Sequence, residues 1–348
     1  VQPGRSSTQG HSAAISHQLP LAAAAACPPP SPLPLMASKA FGLLRSYISR
    51  GPSEAQLAAR ESLPRLQTIP YSHYCELARW ALECAGVGHH ESTHLPALGF
   101  RVADLRGNAH LSETGSFPGD ATHTGKDAIR RRRTAVPCIV FPEGRVLRDS
   151  RDILDAALPG RLEPALWQHL DTELAPAARL VAYHHLLREY GSFSGLVERC
   201  GHPVERLVYW ALGERLIVPR MRATMGIDEE RCEAATQVVR ASFGAYSERL
   251  ETRPAGSVAA GEQLAKEDLA WASLAGILVV PPTYGGRRWF DEERGHSALM
   301  PRAEELPRGL RALCEELRDT AAGRHVLRVY AAHRMNPMYP SVREGRQM

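Results

Sequence analysis

The chain has 348 residues, of which 44% are hydrophobic and 23% are charged, and this is enough for two globular domains with sizeable cores. The net charge of +4 is too small to indicate a nucleic-acid-binding protein, and no apolar run is long enough to cross a bilayer. The seven cysteines are dispersed, without the C-x-x-C or zinc-finger spacing of a redox or metal site. We therefore expect reduced thiols, no bound metal, no nucleic acid partner and no membrane span.

The first 53 residues contain no Asp or Glu and many Ser, Ala and Pro. Such a composition does not build a core, and we predict a disordered leader over residues 1–62. The stretch 36–50 contains Arg and Ser, lacks acidic residues and is weakly amphipathic, as organelle transit peptides are. We expect a cytoplasmic protein, or a plastid or mitochondrial one if this leader targets an organelle.

A strand-to-helix junction within residues 66–85 is the most informative part of the sequence. The β-prone run 66–69 ends at Pro70, and apolar residues with helical spacing follow over 74–85. Ser72 stands at the start of that helix, where free backbone N–H groups and the helix dipole stabilise negative charge. A hydroxyl in this position is suited to holding a bound thiol as its anion.

A second group of short elements follows the junction. Residues 99–133 are polar and rich in Gly, Thr and His, which predicts an inserted loop. The pattern then indicates a β-hairpin, with strands over 135–141 and 146–148. Asp149 and Ser150 are expected to cap the helix that comes next.

The second half of the chain has almost no strand signals. Helical spacing is found over residues 164–190, 203–225, 228–250, 266–278 and 302–334. The change of character near residues 159–160 marks a domain boundary. We predict an α/β domain over 63–158, an all-helical domain over 162–335 and a tail over 336–348.

Three motifs occur in the order in which one protein family carries them. They are the strand–helix junction at 70–82, the pair Val136-Pro137 before a strand, and the acidic–Ser pair within 147–154. Over about residues 64–334 the chain resembles the glutathione S-transferase (GST) superfamily, and its serine- or cysteine-type members in particular. This resemblance implies a thioredoxin-like domain followed by an all-α helical bundle, with the proline in the cis conformation.

The resemblance also implies a reaction, in which the thiolate of glutathione attacks a small hydrophobic electrophile or reduces a peroxide. Ser72 would be the catalytic residue and would donate a hydrogen bond to the glutathione sulfur. The backbone of Val136 would bind the cysteinyl part, while Asp149 and Ser150 would bind the γ-glutamyl ammonium and carboxylate. Glutathione is thus the expected co-substrate, and family members commonly form homodimers. The residues expected to contact glutathione are Tyr71, His73, Val136, Pro137, Asp149 and Ser150.

Two other functions are compatible with the same motifs. The chain could be a non-catalytic GST-fold binding or scaffold protein, an alternative favoured if the loop at 99–133 covers the glutathione groove. It could also be a glutathione thiol reductase that uses Cys75, three residues after Ser72, although a cysteine one turn into a helix is more often a buried apolar residue. With one thiol in this motif, two-thiol disulfide exchange is excluded.

Three local patterns support other functions only weakly. Residues 90–94 match H-E-x-x-H, but Pro96 ends the segment at once and leaves no room for the helix of a zinc protease. In the family resemblance this region is the second strand. Residues 124–127 lack the Ser or Thr of a phosphate-binding loop, and the basic run 130–133 is typical of a solvated loop.

The helical half contains further candidates for an electrophile pocket between the two domains. His184 and His185 are expected to pack in the core or at an interface. Arg324, Tyr330 and Arg334 could line the pocket from the last helix, although a solvated helix face is the more common place for arginines.

Overall fold

The structure is a computed structural model that describes residues 54–96, 136–252 and 264–335. Most of the expected leader, the loop at 99–133 with its two local patterns, and the tail at 336–348 lie outside the described residues. Within the described ranges the chain forms an N-terminal α/β domain and a C-terminal helical domain.

A helix, α1 (Glu54–Glu61), occupies the end of the segment that we predicted to be disordered. Ala58 is fully buried, and the Glu61 carboxylate accepts a 2.6 Å hydrogen bond from Arg65. Glu61 also lies 3.4 Å from His90. The leader prediction is therefore wrong for these eight residues, because their contacts with the sheet order them despite a sequence that forms no core of its own.

A four-stranded mixed sheet forms the centre of the N-terminal domain. Its strands are β1 (Arg65–Thr68), β2 (His90–Thr93), β3 (Cys138–Val140) and β4 (Val146–Leu147). The spatial order is β2-β1-β3-β4, with β1 parallel to β2 and antiparallel to β3, and with β3 antiparallel to β4. The predicted strands and hairpin are thus confirmed, with shorter bounds than their β-prone runs.

Two helices, α2 (His73–Cys84) and α3 (Ser150–Ala157), pack against each other and cover the sheet. Both were predicted from their apolar spacing. The small core that they share with the sheet is formed by Leu66, Ala78, Leu82, Ile139 and Ile153. The strand–helix junction and the start of α3 are therefore held by one apolar cluster.

The helical domain contains nine described α-helices, some of them joined by π-helical turns. They are α4 (Pro164–His169), α5 (Ala175–Arg188), α6 (Tyr190–Cys200), α7 (Pro203–Leu212), α8 (Val218–Met225), α9 (Glu229–Glu251), α10 (Lys266–Val279), α11 (Arg308–Arg318) and α12 (Ala321–Val329). π-Helical turns occur at Leu170–Leu174, Gly213–Ile217 and Tyr330–Arg334. A short hairpin, β5 (Phe290–Asp291) and β6 (His296–Ser297), lies between α10 and α11, with 3-10 turns at Arg287–Trp289 and Ala303–Glu305.

Helix α10 is the centre of the helical domain and also packs on α2. Every residue from Asp268 to Val279 is buried, which explains why this helix is apolar on all sides. The Trp271 ring stacks on Tyr246 with 3.8 Å between ring centroids. The two domains therefore share one continuous hydrophobic core.

The predicted elements differ from the observed ones in three places, and the first is α6 (Tyr190–Cys200), which lies between two predicted helical segments. The expected segment 302–334 is divided near Thr320, whose side chain caps α12 by accepting from the Gly323 N–H at 2.9 Å. The hairpin formed by β5 and β6 was not predicted, because its strands have two residues each. None of the helices in the described ranges combines the length and the apolar content that a bilayer crossing requires.

Candidate functional site

One edge of the sheet brings the three predicted motifs together. The antiparallel register of β1 and β3, continued along the strands, places Ile69 level with Val136. The last paired residues of β3 and β4 on this side are Ile139 and Leu147, and Asp149 and Ser150 follow β4 at the start of α3. Ser72 follows Ile69 within one tight turn, in which the Ser72 N–H donates to the Ile69 carbonyl at 3.0 Å. We call the residues at this edge the sheet-edge site: Ser72, Val136, Pro137, Asp149 and Ser150.

Ser72 is the N-cap residue of α2, as predicted, but its side chain makes no capping hydrogen bond. The Ser72 carbonyl accepts the first hydrogen bond of the helix, from the Glu76 N–H at 2.8 Å, as the carbonyl of an N-cap residue does. The Ser72 side chain is half-buried. A hydroxyl that does not cap its own helix can donate its proton to a group held at the helix start.

Cys75 is fully buried behind Ser72. The Ile69 N–H lies 3.4 Å from its Sγ atom, and burial raises the pKa of the Cys75 thiol to about 11 against the opposing effect of hydrogen bonds with Ile69 and Ser72. The thiol therefore keeps its proton near neutral pH. A buried, protonated thiol is a poor nucleophile, which counts against the Cys75 thiol reductase alternative.

Asp149 and Ser150 begin α3 at the same edge. The Asp149 carboxylate is the N-cap and accepts from the Arg151 N–H at 2.7 Å, as the sequence predicted. Burial raises the pKa of Asp149, although the hydrogen bond from the Arg151 N–H opposes the shift. Ser150 is buried. A partly desolvated carboxylate beside a helix N-terminus can pair with an ammonium group while the helix start receives a carboxylate.

Charges from the helical domain face this edge around Tyr74. Burial raises the pKa of the Tyr74 phenol, Arg179 opposes the shift, and Asp171 and Asp149 add to it. Arg179 and Asp171 are exposed, so they stand where solvent and a ligand have access. The sequence predicted the helical segment that contains Asp171 and Arg179 but not which of its faces would lie against the sheet edge.

The side chains of Tyr71 and His73 lie in the domain interface and not in the sheet-edge site. The Tyr71 ring is 2% exposed and packs on Tyr183 and Phe193, with 6.3 and 6.4 Å between ring centroids. His73 is 1% exposed, with its Nε2 3.1 Å from the Ala175 carbonyl oxygen. Burial lowers the pKa of His73 to about 3, so the ring is neutral. The structure therefore gives both side chains a packing role, which differs from the expected contact with glutathione.

The next turns of α2 carry charges that are fully buried. Arg79 donates to Glu76 and to Glu91, each at 2.6 Å, and the Thr68 hydroxyl donates to Glu91 at 2.6 Å. Burial would raise the pKa of Glu91, but Arg79 and Arg288 hold it well below its usual range. This carboxylate is therefore ionised, and the network joins α2 to β2.

Arg334 connects the same helix to the end of the described chain. It donates to Glu76 at 2.8 Å and also forms an ion pair with Glu83, and it is 3% exposed. Tyr330 is buried beside it and donates to Glu76 at 3.3 Å. The expectation of a solvated face or a pocket wall is wrong for these two residues, because the last turn packs against α2. We call this group the interdomain charge cluster: Glu76, Arg79, Glu83, Glu91, Arg288 and Arg334.

Other candidates from the sequence have structural roles. Residues 90–94 form β2 and not a helix, and among the described residues no group of three His, Cys, Asp or Glu could hold a metal ion. His184 is buried, with its Nε2 3.5 Å from the Glu229 carboxylate. Arg324 is exposed on α12, as the sequence favoured.

The peptide bond between Val136 and Pro137 is cis, as the resemblance implied. The mixed sheet, its strand order and the helical domain that follows are also those implied by the resemblance. The fold is the GST fold. The sheet-edge site lies in the thioredoxin-like domain of this fold, at the turn between the first strand, β1, and the helix that follows it, α2.

Comparisons with known proteins found matches among solved structures. No family model and no curated protein matches the chain. Solved structures that match include a glutathione S-transferase from Xanthobacter autotrophicus Py2, with 17% identity, a TM-score of 0.32, and coverage of 74% of this chain and 93% of that one. Glutaredoxin 2 from Salmonella typhimurium in complex with glutathione has 11% identity, a TM-score of 0.35, and coverage of 74% and 99%. Ure2p in complex with glutathione has 13% identity, a TM-score of 0.31, and coverage of 83% and 99%.

Identities and TM-scores this low support no conclusion about the chemistry of this chain. The fold assignment rests on the topology described above, and the roles of single residues rest on their own contacts. The sequence did not identify Arg179, Asp171 or the pairing of charges in the interdomain charge cluster, although Arg334 was a candidate for a pocket wall and Glu91 was part of the H-E-x-x-H pattern.

Proposed function

We propose that the protein binds glutathione at the sheet-edge site and uses Ser72 to hold the glutathione sulfur as a thiolate for transfer to an electrophile. The observation that carries this proposal is the Ser72 side chain, which stands at the start of α2 without capping it. The positive end of the helix dipole and the hydroxyl donor would then act on the same point.

The energies of the hydroxyl hydrogen bond and of the helix dipole are sufficient to hold the glutathione sulfur as a thiolate. A free thiol has a pKa of about 8.5, so lowering it by about two units requires roughly 2.7 kcal/mol of preferential stabilisation of the thiolate. A hydrogen bond from a hydroxyl to a charged acceptor contributes about 1.5–3 kcal/mol. The helix dipole adds about 0.3–1 kcal/mol. Neither a metal nor a second acid is needed to bring the sulfur to its reactive form.

Cys75 would act as a positioning residue for Ser72 in this mechanism. Its sulfur accepts from the Ile69 N–H, and its own proton stays bound because burial raises the thiol pKa to about 11. The Ser72 side chain is hydrogen-bonded to Cys75 and lowers the pKa of that thiol, so the hydroxyl would turn from the Cys75 sulfur to the glutathione sulfur when the tripeptide binds.

The other end of the tripeptide would be bound by the start of α3. The Asp149 carboxylate would pair with the γ-glutamyl ammonium, and the Ser150 hydroxyl with the helix N-terminus would receive the γ-glutamyl carboxylate. The backbone of Val136, which precedes β3 beside the end of β1, would hold the cysteinyl part. The electrophile, a small hydrophobic molecule or a peroxide, would approach from the helical domain.

Calorimetry with reduced glutathione and with its S-methyl derivative tests both parts of the proposal. The wild-type protein should bind reduced glutathione more tightly as pH rises through the lowered thiol pKa, and the S-methyl derivative, which has no ionisable thiol, should show no such change. Ser72→Ala should bind both ligands alike. Ultraviolet absorbance of the bound thiolate gives the thiol pKa directly.

Different outcomes support different functions. Absence of heat with millimolar glutathione would overturn the proposal. Binding without a lowered thiol pKa, and without turnover of a chromogenic aryl halide, would identify the non-catalytic binding protein. Turnover that is lost in Cys75→Ser but kept in Ser72→Ala would identify the thiol reductase.

A further inference from the structure

The large apolar side chains that are most exposed in the described part of the chain lie on one continuous stretch of helix. They are Leu207, Trp210 and Leu216, with exposed fractions of 39%, 70% and 50%. Leu207 and Trp210 are one turn apart on α7 and so project from the same face, and Leu216 follows in the π-helical turn that leads into α8. Large apolar side chains exposed this close together mark a surface that binds another molecule.

Positive charge exceeds negative charge around these side chains. Over residues 198–224 the exposed arginines outnumber the exposed carboxylates, with Arg199, Arg206, Arg215 and Arg220 against Glu198 and Glu214. The remaining carboxylate of this range, Glu205, is fully buried and accepts from the Leu95 N–H at 3.3 Å. The surface therefore suits a negatively charged partner.

The arginines on α7 and α8 are available to such a partner. Among the described residues, none forms an ion pair with Arg206, Arg215 or Arg220. Arg199, at the end of α6, differs because it donates to the Ala298 carbonyl at 3.2 Å. Guanidinium groups without a carboxylate partner can bind the oxygens of phosphate groups.

The acidic start of α9, which follows α8, does not supply the missing partners. Asp228 lies 3.5 Å from Arg231 on its own helix. Glu229 pairs with Arg188 at 2.9 Å. These two carboxylates are therefore already engaged with other arginines.

The mixture of apolar and cationic side chains indicates the kind of partner. A nucleic acid would pair with the arginines and stack a base on Trp210, but it offers no apolar surroundings to Leu207 and Leu216. The boundary of an anionic bilayer accepts both kinds of side chain. Leucine and tryptophan enter the acyl region, while long arginine side chains keep their charged ends at the phosphate groups.

A cavity of about 590 Å³ between α6 and α7 adds to the apolar part of this surface. Cavities of roughly 300–1,000 Å³ are of the size that binds organic ligands. The apolar side chains that line it include Val197, Pro203, Leu207 and Trp210, and its polar side chains include Ser194, Glu198 and Arg206. An acyl chain can therefore contact the apolar walls of a cavity that also has a guanidinium group for its phosphate.

We propose that α7 and α8 dock on the surface of a bilayer that contains anionic phospholipids. The contact surface, which we call the α7–α8 face, consists of Arg206, Leu207, Trp210, Arg215, Leu216 and Arg220. In the docked state α7 lies in the plane of the interface, with the indole and the two leucines among the upper acyl chains and the arginines at the phosphates. This inference does not depend on glutathione binding.

Cosedimentation of the full chain with vesicles tests the role of charge. The wild type should bind vesicles with roughly one-third phosphatidylserine at least about 10-fold more tightly than vesicles of phosphatidylcholine alone. Arg206→Gln should weaken binding to the anionic vesicles about fivefold, and the triple variant R206Q/R215Q/R220Q about 100-fold. The matched control R161Q/R308Q/R328Q removes three exposed arginines outside the α7–α8 face and should bind within about threefold of the wild type.

Tryptophan fluorescence tests whether the α7–α8 face itself enters the bilayer. Of the five tryptophans only Trp210 is exposed, and residues 1–53 contain none. Anionic vesicles should shift the emission to shorter wavelength, and phospholipids brominated on the acyl chain should quench it. Trp210→Phe should remove both effects, whereas Trp289→Phe, which changes a half-buried tryptophan elsewhere, should retain them.

Three results would overturn the proposal. One is a wild-type protein that does not cosediment with anionic vesicles at low ionic strength. Another is an equal loss of binding in the two triple variants, which would show an effect of net charge alone. The third is unchanged Trp210 emission in vesicle-bound protein, since a different part of the chain must then hold it. Circular dichroism of each variant shows that the fold is retained, as expected for substitutions at exposed positions.

Discussion

Helix α2 has two regions with opposite properties. At its start, Ser72 presents a half-buried hydroxyl that does not cap the backbone of its helix. One to three turns later, Glu76, Arg79 and Glu83 are buried and paired with charges from other elements. The first region has a half-buried hydroxyl hydrogen-bonded to the Cys75 thiol, and the second contains closely compensated buried charges.

The difference shows how one helix can present a reactive side chain at its start while buried ion pairs fix the position of the helix. The interdomain charge cluster joins α2 to β2 through Arg79 and to the helical domain through Arg334. Helix ends that project a functional group benefit from a rigid support, because a misplaced donor loses much of its electrostatic effect. We infer that the cluster fixes the position from which Ser72 acts.

Removal of Arg79, the central arginine of the interdomain charge cluster, should have the largest effect on stability. Arg79→Met leaves Glu76 and Glu91 buried without their shared cation, so the free energy of unfolding should fall by about 3–5 kcal/mol. Urea denaturation measures this change. The matched control is Arg151→Met, which removes an exposed arginine from a 3.5 Å pair with Asp155 and should cost less than about 1 kcal/mol. Equal effects of the two substitutions would contradict the structural role of the cluster.

Acidification should also lower the free energy of unfolding, because it protonates carboxylates of the interdomain charge cluster. Although burial opposes it, Arg79 and Arg288 lower the pKa of Glu91, and Arg334 and Arg79 lower the pKa of Glu76. Stabilisation by these carboxylates is complete above their ordinary pKa of 4.5 and is lost as pH falls below it. Unfolding free energies measured from neutral pH down to about pH 3 should decline, and the decline should be smaller in Glu91→Gln.

Ser72→Ala should change chemistry much more than stability. Loss of the hydroxyl donor should raise the pKa of bound glutathione and lower kcat/KM by about 10–100-fold, which corresponds to roughly 1.4–2.7 kcal/mol. The free energy of unfolding should stay within about 0.5 kcal/mol of the wild type, since the side chain does not cap α2. A stability loss near 1 kcal/mol with unchanged turnover would show instead that the hydroxyl caps the helix in solution.

Asp149 allows its two roles to be separated by a conservative substitution. Asp149→Asn keeps an N-cap acceptor for the Arg151 N–H but loses the charge, so the KM for glutathione should rise while stability is retained. Asp149→Ala should lose both, with a stability cost of about 1 kcal/mol. Steady-state kinetics and thermal unfolding together distinguish these outcomes. An unchanged KM in both variants would place the γ-glutamyl ammonium elsewhere.

The smallest effect is expected when the native protein is treated with a reagent that alkylates Cys75. Its thiol is fully buried and has a pKa raised to about 11, so an alkylating reagent should not modify it in the native protein at neutral pH. Mass spectrometry of peptides before and after denaturation measures the protection. Cys84 at the other end of α2 is half-buried and serves as the internal comparison. Rapid native modification of Cys75 would revive the thiol reductase alternative.

The sequence was sufficient for the fold and for the position of Ser72, because both depend on local signals. The β-prone run, the proline turn and the helical spacing after it predicted the junction, and the acidic–Ser pair predicted the cap of α3. The homodimer, the bound glutathione and the roles of the sheet-edge residues remain predictions. They depend on binding partners and not on contacts within the chain.

The charge cluster could not be predicted, because its members are distant in sequence. Glu76 and Arg334 are separated by 258 positions, and a charged residue on a helix is usually expected to face solvent. Glu91 was noticed only as part of an H-E-x-x-H pattern, and its actual partners come from α2 and from the segment after α10. Tyr71 and His73 were assigned to the ligand for a related reason, since the sequence does not show which junction residues the helical domain covers.

Arg334 also affects how the protein can be synthesised. The N-terminal domain contains Glu76 and Glu83, but the arginine that joins both carboxylates comes from the end of the described chain. A ribosome that has completed the first domain has therefore not yet made this cation. The α/β domain should reach its final, protease-resistant state only after translation has passed residue 334, and fragments that end earlier should be degraded more rapidly.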